Sequence, residues 1–217
     1  MTDELPLSCE ELLTTTRSVR HGLDLDRPVD RDLVEDCLRI ALQAPNGSNR
    51  QNWRWILLTD PRIRAEVAEV YRAAFYDRNA AALERLPELP EAPRSVLTAA
   101  RALADRLHRV PVLVIPCLEV AQGTLPTGNQ AGLWASLLPA AWSYALAARS
   151  RGLVTAWTAV HLDREQEVAD LLGLPPTVRQ GALLPTAHPL RGTFRPGPRL
   201  PLEEVLHHDG WQGARPV

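Results

Sequence analysis

The sequence contains no lysine, because all 24 of its lysine or arginine positions are arginine. This absence excludes mechanisms that need a lysine amine, such as a Schiff base with a carbonyl substrate. It also means that a phosphate or carboxylate ligand would be bound by guanidinium groups, which grip such anions as a planar fork. The formal net charge is −2 over 217 residues, so the composition predicts no binding to nucleic acid.

Cysteine is also scarce. Cys9, Cys37 and Cys117 are odd in number, widely spaced and in no C-x-x-C pattern, which argues against a disulfide framework and against a cysteine zinc site. Met1 is followed by polar and acidic residues, without the basic and apolar regions of a signal peptide. We therefore expect a cytoplasmic protein.

The motifs of several enzyme classes are missing. The sequence has no G-x-G-x-x-G after a strand, no G-x-x-x-x-G-K phosphate loop, no H-E-x-x-H and no G-x-S-x-G. The one histidine cluster, residues 207–209, is interpreted as surface because adjacent side chains point in different directions. No metal site is predicted, and if the protein is an enzyme, a cofactor is expected to supply its chemistry.

The longest apolar stretch, residues 134–162, organises the chain. Its first part predicts a helix from Trp134 to Gly152 that is apolar on almost every side, and such a helix is normally buried in a core or against a second chain. Ser136 and Pro139 interrupt the run before it reaches the ~20 apolar residues of a membrane span. The residues after Gly152 have the length and composition of a strand.

The rest of the pattern predicts about six helices and four or five strands in one layered α+β or α/β domain. A capping box of Ser8 and Glu11 begins the first helix, and caps at Asp30, Asp60 and Asp163 begin three others. Helices are expected at residues 61–82, 95–107 and 163–172. Strands are expected at residues 53–58, 110–118, 153–157 and 181–185.

Two polar segments are candidate binding elements. Residues 17–20, Arg-Ser-Val-Arg, are either a solvated helix end or an anion clamp with two guanidinium groups and a hydroxyl. Residues 46–52 are dense in amide side chains. They form either a turn or a loop that binds a planar polar ligand.

Four segments resemble motifs of the FMN-dependent nitroreductase superfamily, in the same order and over nearly the full chain. Residues 17–20 resemble the family's first phosphate-binding motif, basic-x-Ser-x-basic. Residues 44–53 resemble A-P-S-x-x-N-x-Q-P-W, residues 147–155 resemble A-A-R-x-x-G-L-G-T, and residues 198–202 resemble a C-terminal R-x-P-L.

The resemblance implies a fold and an assembly. The expected fold is α+β, a three-layer α-β-α sandwich with a mixed sheet, formed as a single domain over residues 1–217. The expected assembly is an obligate homodimer whose central helix packs on its twin, with two FMN sites at the interface. Residues 75–107 match the variable helical segment that often covers the substrate face in the family.

The resemblance also assigns residues, position by position. Those implied at the FMN phosphate and ribityl chain are Arg17, Ser18, Arg20 and Arg199. Those implied at the flavin ring, from a second copy of the chain, are Pro45, Asn46, Gly47, Asn49 and Gln51. The backbone of Ala159, Val160 and His161 is implied at the N5 edge, where hydride is exchanged. The substrate candidates are Tyr76, Arg78 and Arg94.

The sequence departs from the family pattern at several positions. Thr16 stands where a basic residue is usual, which leaves Arg17 to serve, and Gly197 stands where lysine commonly precedes the tail arginine. The other departures lie in the loop and the central helix and strand: Asn46, Asn52, Trp142 with Ser143, and Val154.

The activity implied by the resemblance is ping-pong reduction of a nitroaromatic, a quinone or another flat electrophile, with NADPH or NADH as electron donor. Three alternatives stay open. The first is an FMN enzyme that dehydrogenates or dehalogenates a small natural product, the second a non-catalytic flavin-binding protein, and the third a dimeric scaffold without cofactor. The sequence does not decide between NADH and NADPH, and it does not identify the electron acceptor.

Overall fold

The computed structural model of the protein describes residues 5–211, apart from the side chain of Gln122. Within them lie helices α1 (Cys9–Thr15), α2 (Arg31–Ala41), α3 (Pro61–Glu84), α4 (Glu91–Arg106), α5 (Ala131–Ser150) and α6 (Glu165–Leu172). The strands are β1 (Trp53–Leu58), β2 (Val112–Glu119), β3 (Val154–Thr155), β4 (Val178–Gln180) and β5 (Leu184–Ala187). The predicted α+β class is confirmed.

The strands form one sheet in the order β1-β2-β5-β3, with β4 also paired to β2. Each of these strand pairs is antiparallel. The parallel component of the predicted mixed sheet is an isolated bridge between Ser18 and Thr155. That bridge attaches the first polar segment to the edge strand β3.

The central strand β2 shows how the layers form. Side chains of successive strand residues point to opposite faces. Leu113 and Ile115 pack in the cluster that contains α3 and α4, and Val112 and Val114 pack in the cluster that contains α2 and α5. A strand covered on both faces must be apolar at nearly every position, as residues 112–118 are. The three-layer arrangement is as expected.

Helix α5 begins three residues before the predicted start and is buried on its inner side. Tyr144 is fully buried, and its hydroxyl lies 2.9 Å from Thr186 Oγ1. Leu138 and Trp142 keep 36% and 38% of their surface exposed, so one apolar stripe of the helix stays uncovered by this chain. Within residues 5–211, no helix combines the length and the apolar character needed to cross a bilayer.

Several predicted boundaries are wrong. Helix α6 begins at Glu165, because Asp163 lies in a preceding 3₁₀ turn and forms an ion pair with Arg78 instead of capping the helix. The strand expected at 181–185 begins only at Leu184. The capping box of Ser8 with Glu11 and the caps at Asp30 and Asp60 are confirmed.

Candidate functional site

Backbone hydrogen bonds hold the first polar segment in place between two other parts of the chain. The Val19 N–H donates to the Thr155 carbonyl over 2.9 Å, and the Trp157 N–H donates to Ser18 Oγ over 2.7 Å. Further along, the Leu190 N–H donates to the Gly22 carbonyl over 2.8 Å. The segment therefore joins β3 and the residues just after it to the chain that follows β5. The Ser18 hydroxyl helps to make this junction.

A cavity of about 600 Å³ opens beside this segment, a size typical of small-molecule sites. Its lining includes three of the predicted FMN residues, Arg17, Ser18 and Arg20. Its other lining residues are His21, Gly22, Val19, Ala99, Leu190, Arg191, Thr193 and Phe194. No aspartate or glutamate of the described chain lines it. The cavity is therefore suited to an anionic ligand.

Arg199, in the C-terminal tail, approaches Arg17 without lining the cavity itself. A Cβ atom built on Gly197 would lie 3.0 Å from Arg199 Nη1 and 3.1 Å from Arg17 Nη2, so both guanidinium groups converge on this glycine. Arg17 Nη1 also donates to the Arg195 carbonyl over 2.8 Å, which fixes the tail against the first segment. The missing side chain of Gly197 leaves the room in which the two guanidinium groups approach each other.

Arg149, in the last turn of α5, supports the tail from behind. It is 3% exposed, its Cζ lies 4.8 Å from the centroid of the Phe194 ring, and its Nη2 makes a long hydrogen bond of 3.5 Å to the Gly192 carbonyl. Its Nε and Nη1 have no partner within residues 5–211, and burial lowers its pKa. A cation at a helix C-terminus and over an aromatic face is favourable. Arg149 thus holds Phe194 as a wall of the cavity.

The loop at residues 46–51 lies elsewhere, against the first half of α5. The Gly47 N–H donates to Ser136 Oγ over 3.1 Å, and Asn46 Oδ1 accepts from the Gln51 N–H over 2.8 Å. Gln51 Nε2 donates to Asn49 Oδ1 over 3.0 Å, and Pro45 is exposed at the entrance of the loop. The predicted flavin-ring residues are therefore brought together, and their amides hold the loop in shape.

Three residues of this loop have left-handed backbone conformations. The φ angles of Ser48, Asn49 and Gln51 are 54°, 51° and 49°. Asparagine tolerates this region, whereas serine and glutamine there cost on the order of 1 kcal/mol each. These left-handed conformations curve the backbone of the loop at residues 47–51.

The loop and the arginine-lined cavity lie toward opposite ends of α5. Ser136, which binds the loop, and Ser150, at the end of the helix beside the cavity wall, are separated by about 21 Å at the helical rise of ~1.5 Å per residue. Within one chain, the loop therefore does not line the cavity.

The residues predicted at the N5 edge lie in and before the 3₁₀ turn Val160–Arg164, and they do not line the cavity of this chain. His161 is fully buried, and neither ring nitrogen has a hydrogen-bond partner within residues 5–211. Burial lowers the pKa of His161 to about 4. Its imidazole is therefore neutral near pH 7.

The side chains of the three substrate candidates form hydrogen bonds or ion pairs with residues outside the cavity. The Tyr76 hydroxyl donates to Asp105 Oδ1 over 2.8 Å, Arg78 pairs with Asp163, and Arg94 Nη1 donates to the Pro87 carbonyl over 3.3 Å. None of them lines the cavity, to which α4 contributes Ala99 instead. Their contact with substrate stays a prediction.

Sequence reasoning did not assign His21, Arg191, Thr193 and Phe194 to the site, although all four line the cavity. The available signal was the tail after residue 190, which is rich in arginine, proline and glycine. Its fold back onto residues 17–22 depends on backbone pairing between segments far apart in the chain. Among residues 5–211, no three histidine, cysteine, aspartate or glutamate side chains are grouped so as to hold a metal ion.

Known proteins share this sequence pattern and fold. The model of the Nitroreductase family matches residues 13–187. The chain is 24% identical over 183 residues to iodotyrosine deiodinase of Nematostella vectensis, covering 82% of this chain and 67% of that protein. It is 40% identical over 65 residues to nitrobenzene nitroreductase of Ectopseudomonas oleovorans, covering 29% of this chain and 28% of that protein.

A solved structure agrees in fold. A variant of the FMN and NADPH-dependent nitroreductase NfnB from Sphigopyxis sp. strain HMH superimposes with a TM-score of 0.70 at 23% identity, covering 94% of this chain and 100% of that one. A family match over most of the chain, on this three-layer fold, places the protein in a class of layered α+β oxidoreductases. The chain belongs to the nitroreductase family.

The buried His161 predicts how stability depends on pH. Its pKa is about 4 in the folded protein and about 6.5 in the unfolded chain, so the unfolded state binds the proton first as the pH falls. The resulting stability is fully present above pH 6.5 and is lost between pH 6.5 and 4, with a magnitude on the order of 3 kcal/mol. In urea unfolding experiments, lowering the pH from 6.5 to 4 should reduce the free energy of unfolding of the wild type by about 3 kcal/mol more than that of His161→Leu.

The matched control is His108→Leu, since His108 is exposed. This variant should follow the wild-type pH dependence. Equal acid sensitivity of the wild type and His161→Leu would contradict the assignment of a buried neutral imidazole.

Proposed function

We propose that the protein is an FMN-dependent oxidoreductase that uses NADPH or NADH to reduce flat electrophiles such as nitroaromatics and quinones. One observation carries this proposal: Arg17 and Arg199 converge at Gly197, beside a cavity whose described lining has no carboxylate. A phosphate monoester has a charge of about −1.5 to −2 near pH 7, and paired guanidinium groups bind it with strong, charge-assisted hydrogen bonds.

In this proposal, the residues of one chain hold the phosphate end of FMN. Arg17 and Arg199 bind the phosphate, while Arg20 and Ser18 follow the ribityl chain along the same segment. FMN, when bound, supplies the hydride chemistry, so the protein needs no nucleophilic side chain. The family resemblance alone assigns the backbone of residues 159–161 to the N5 edge, since these residues do not line the cavity of this chain.

A second copy of the chain completes the site. Pairing two α5 helices in antiparallel fashion brings the loop at residues 46–51 of one copy beside the cavity of the other, because the two features lie at opposite ends of the helix. The exposed Leu138 and Trp142 are the apolar side chains such a pairing would cover. A homodimer with two FMN sites therefore accounts for both the stripe and the distance from loop to cavity.

Reductive dehalogenation is a second candidate activity. The observation that favours it is the likeness to iodotyrosine deiodinase over 82% of this chain, whereas the likeness to nitrobenzene nitroreductase covers 29%. Both activities use the same flavin site in this proposal. They differ only in the bond that is reduced.

The absorption spectrum tests the proposed function directly. The purified protein, supplied with FMN where needed, should show flavin bands that bleach on anaerobic addition of NADPH or NADH and return when a nitroaromatic or an iodinated phenol is added. The acceptor that restores the bands decides between the two activities. Bands that persist with both nucleotides contradict the redox role, and a protein that takes up no FMN contradicts the cofactor.

Gly197→Ala should weaken FMN binding. The new Cβ would lie about 3 Å from both guanidinium groups. It would push these flexible side chains apart without disturbing the core. We expect the dissociation constant of FMN, measured by quenching of flavin fluorescence, to rise about tenfold, which corresponds to about 1.4 kcal/mol.

Gly192→Ala is the matched control, because no heavy atom would lie within 4 Å of its Cβ. It should bind FMN as the wild type does. If Gly197→Ala also binds FMN unchanged, the guanidinium pair is not the phosphate site.

Trp142→Glu should separate the dimer and weaken FMN binding together. A charge in the middle of the apolar stripe opposes its burial against a second copy. Light scattering after gel filtration should show a monomer, and FMN affinity should fall because the loop of the second copy is lost. Ile63→Glu is the control: Ile63 is also 38% exposed but lies on α3, in the opposite layer. A Trp142→Glu protein that remains dimeric would contradict the α5 interface.

A further inference from the structure

Helix α3 contacts segment 158–164 at both of its ends. At the first end, the Tyr71 hydroxyl lies 2.9 Å from Thr158 Oγ1. At the second end, Arg78 binds Asp163 with two hydrogen bonds, of which the one from Nε to Oδ2 is 2.5 Å long. The segment contains the residues that the family resemblance assigns to the N5 edge. A single helix therefore sets where this part of the chain begins and ends.

Tyr71 and Arg78 can act together because they lie on the same side of α3. They are seven residues apart, which is about two turns at 3.6 residues per turn. Asp77, beside Arg78, accepts a hydrogen bond of 2.6 Å from Arg164 Nη2 at the same end of the segment. The spacing along α3 therefore fixes the spacing between the two ends of the segment.

The contact between Tyr71 and Thr158 is the stronger constraint. These residues are 1% and 8% exposed, and a buried hydroxyl that loses its partner is destabilising. Arg78 and Asp163 have side chains that are 45% and 42% exposed, and an ion pair so open to solvent contributes little. Burial raises the pKa of Tyr71, and the opposing charges of Arg20 and Arg78 have smaller effects, so the hydroxyl stays protonated near pH 7.

The same residues connect the segment to the cavity. The Trp157 N–H donates to Ser18 Oγ over 2.7 Å, and Ser18 lines the cavity. The Thr158 N–H then donates to the Leu183 carbonyl over 3.1 Å, and the Leu183 N–H donates back over 2.8 Å. The next contact along the chain is the one between the Thr158 hydroxyl and Tyr71. Tyr71 therefore acts where the chain leaves the cavity edge and enters the 3₁₀ turn.

We propose that Tyr71 is a positioning residue, which acts through Thr158 to hold the backbone of residues 159–161 at the flavin, and that Arg78 supports the far end of the segment rather than contacting substrate. The inference rests on the proposed function. Hydride transfer requires reacting atoms that are close and aligned, and a misplacement of about 1 Å caused by a remote residue can lower the rate about a hundredfold.

Tyr71→Phe tests the inference because it removes the hydroxyl and keeps the ring. The dissociation constant of FMN should stay within about twofold of wild type, while the rate at which NADPH reduces bound FMN in a single turnover should fall about tenfold. Thr158→Val should show the same defect, and Thr158→Ser, which keeps a hydroxyl, should restore the wild-type rate. In the double variant of Tyr71→Phe with Thr158→Val, the loss should be no larger than in either single variant.

Amide hydrogen exchange gives a readout that needs no turnover. Binding of FMN should slow exchange at residues 159–161 of the wild type, because the proposal places their backbone at the flavin. This protection should be weaker in Tyr71→Phe and in Thr158→Val, and of wild-type size in Thr158→Ser. Thr158→Val and Thr158→Ser also keep the test decisive if Tyr71→Phe does not fold.

Tyr144→Phe is the matched control. The Tyr144 hydroxyl also lies 2.9 Å from a threonine Oγ1, that of Thr186, and both residues are fully buried, but Tyr144 belongs to α5 on the other face of the sheet. This variant should lose stability to urea and keep the wild-type rate of flavin reduction. If Tyr71→Phe likewise loses stability alone, its hydroxyl has only a structural role and the inference is overturned.

The failure of this inference can be told apart from the failure of the proposed function. A wild type that binds no FMN, or whose FMN is reduced by neither NADPH nor NADH, overturns both. A wild type whose FMN is reduced but gives residues 159–161 no protection from exchange overturns the inference alone. So does a Tyr71→Phe protein in which the slower reduction is explained by a marked rise in the dissociation constant of FMN.

Discussion

The length of α5 is the constraint on which the arrangement of the site depends. Its 20 residues hold the amide-rich loop at one end, through Ser136, and the cavity wall at the other, through Arg149. A straight helix fixes the distance between these ends, so no adjustment of side chains within one chain can bring them together. The apolar stripe of Leu138 and Trp142 runs between them. In the proposed homodimer, the helix explains why each chain would hold half of a site and which surface would join the halves.

The second feature of the molecule is the junction that residues 17–23 make with β3 and with the chain after β5. This junction consists mainly of backbone hydrogen bonds, so it sets positions without regard to side-chain charge. It places Arg17, Arg20, His21 and Arg191 on one cavity. The three guanidinium groups among them repel one another, and a bound anion would relieve that repulsion.

The sequence predicted those parts of the fold that local physics decides. The capping box at Ser8 and the exact bounds of β1 follow from short-range patterns, and the period of burial in β2 follows from its unbroken apolar run. It could not predict that Asp163 would leave its helix to pair with Arg78, since that choice depends on α3 lying alongside. In the same way, Arg17 and Arg199 could be suspected from motifs. Their meeting at Gly197 depends on contacts between segments far apart in the chain, such as the one from Arg17 to the Arg195 carbonyl, 178 residues away.

The departures from the family pattern at Thr16 and Gly197 can be understood together. Each replaces a usual basic residue of the family pattern by one without charge. In the proposed site, Arg17 takes the place left by Thr16, and the absent side chain at Gly197 gives Arg17 and Arg199 room to converge. The proposed phosphate site would then depend on the position of the tail, which the Arg17 contact with the Arg195 carbonyl and the Arg149 contact with Phe194 maintain. Because α5 carries Arg149, the helix that would pair the two copies also positions the tail that carries Arg199.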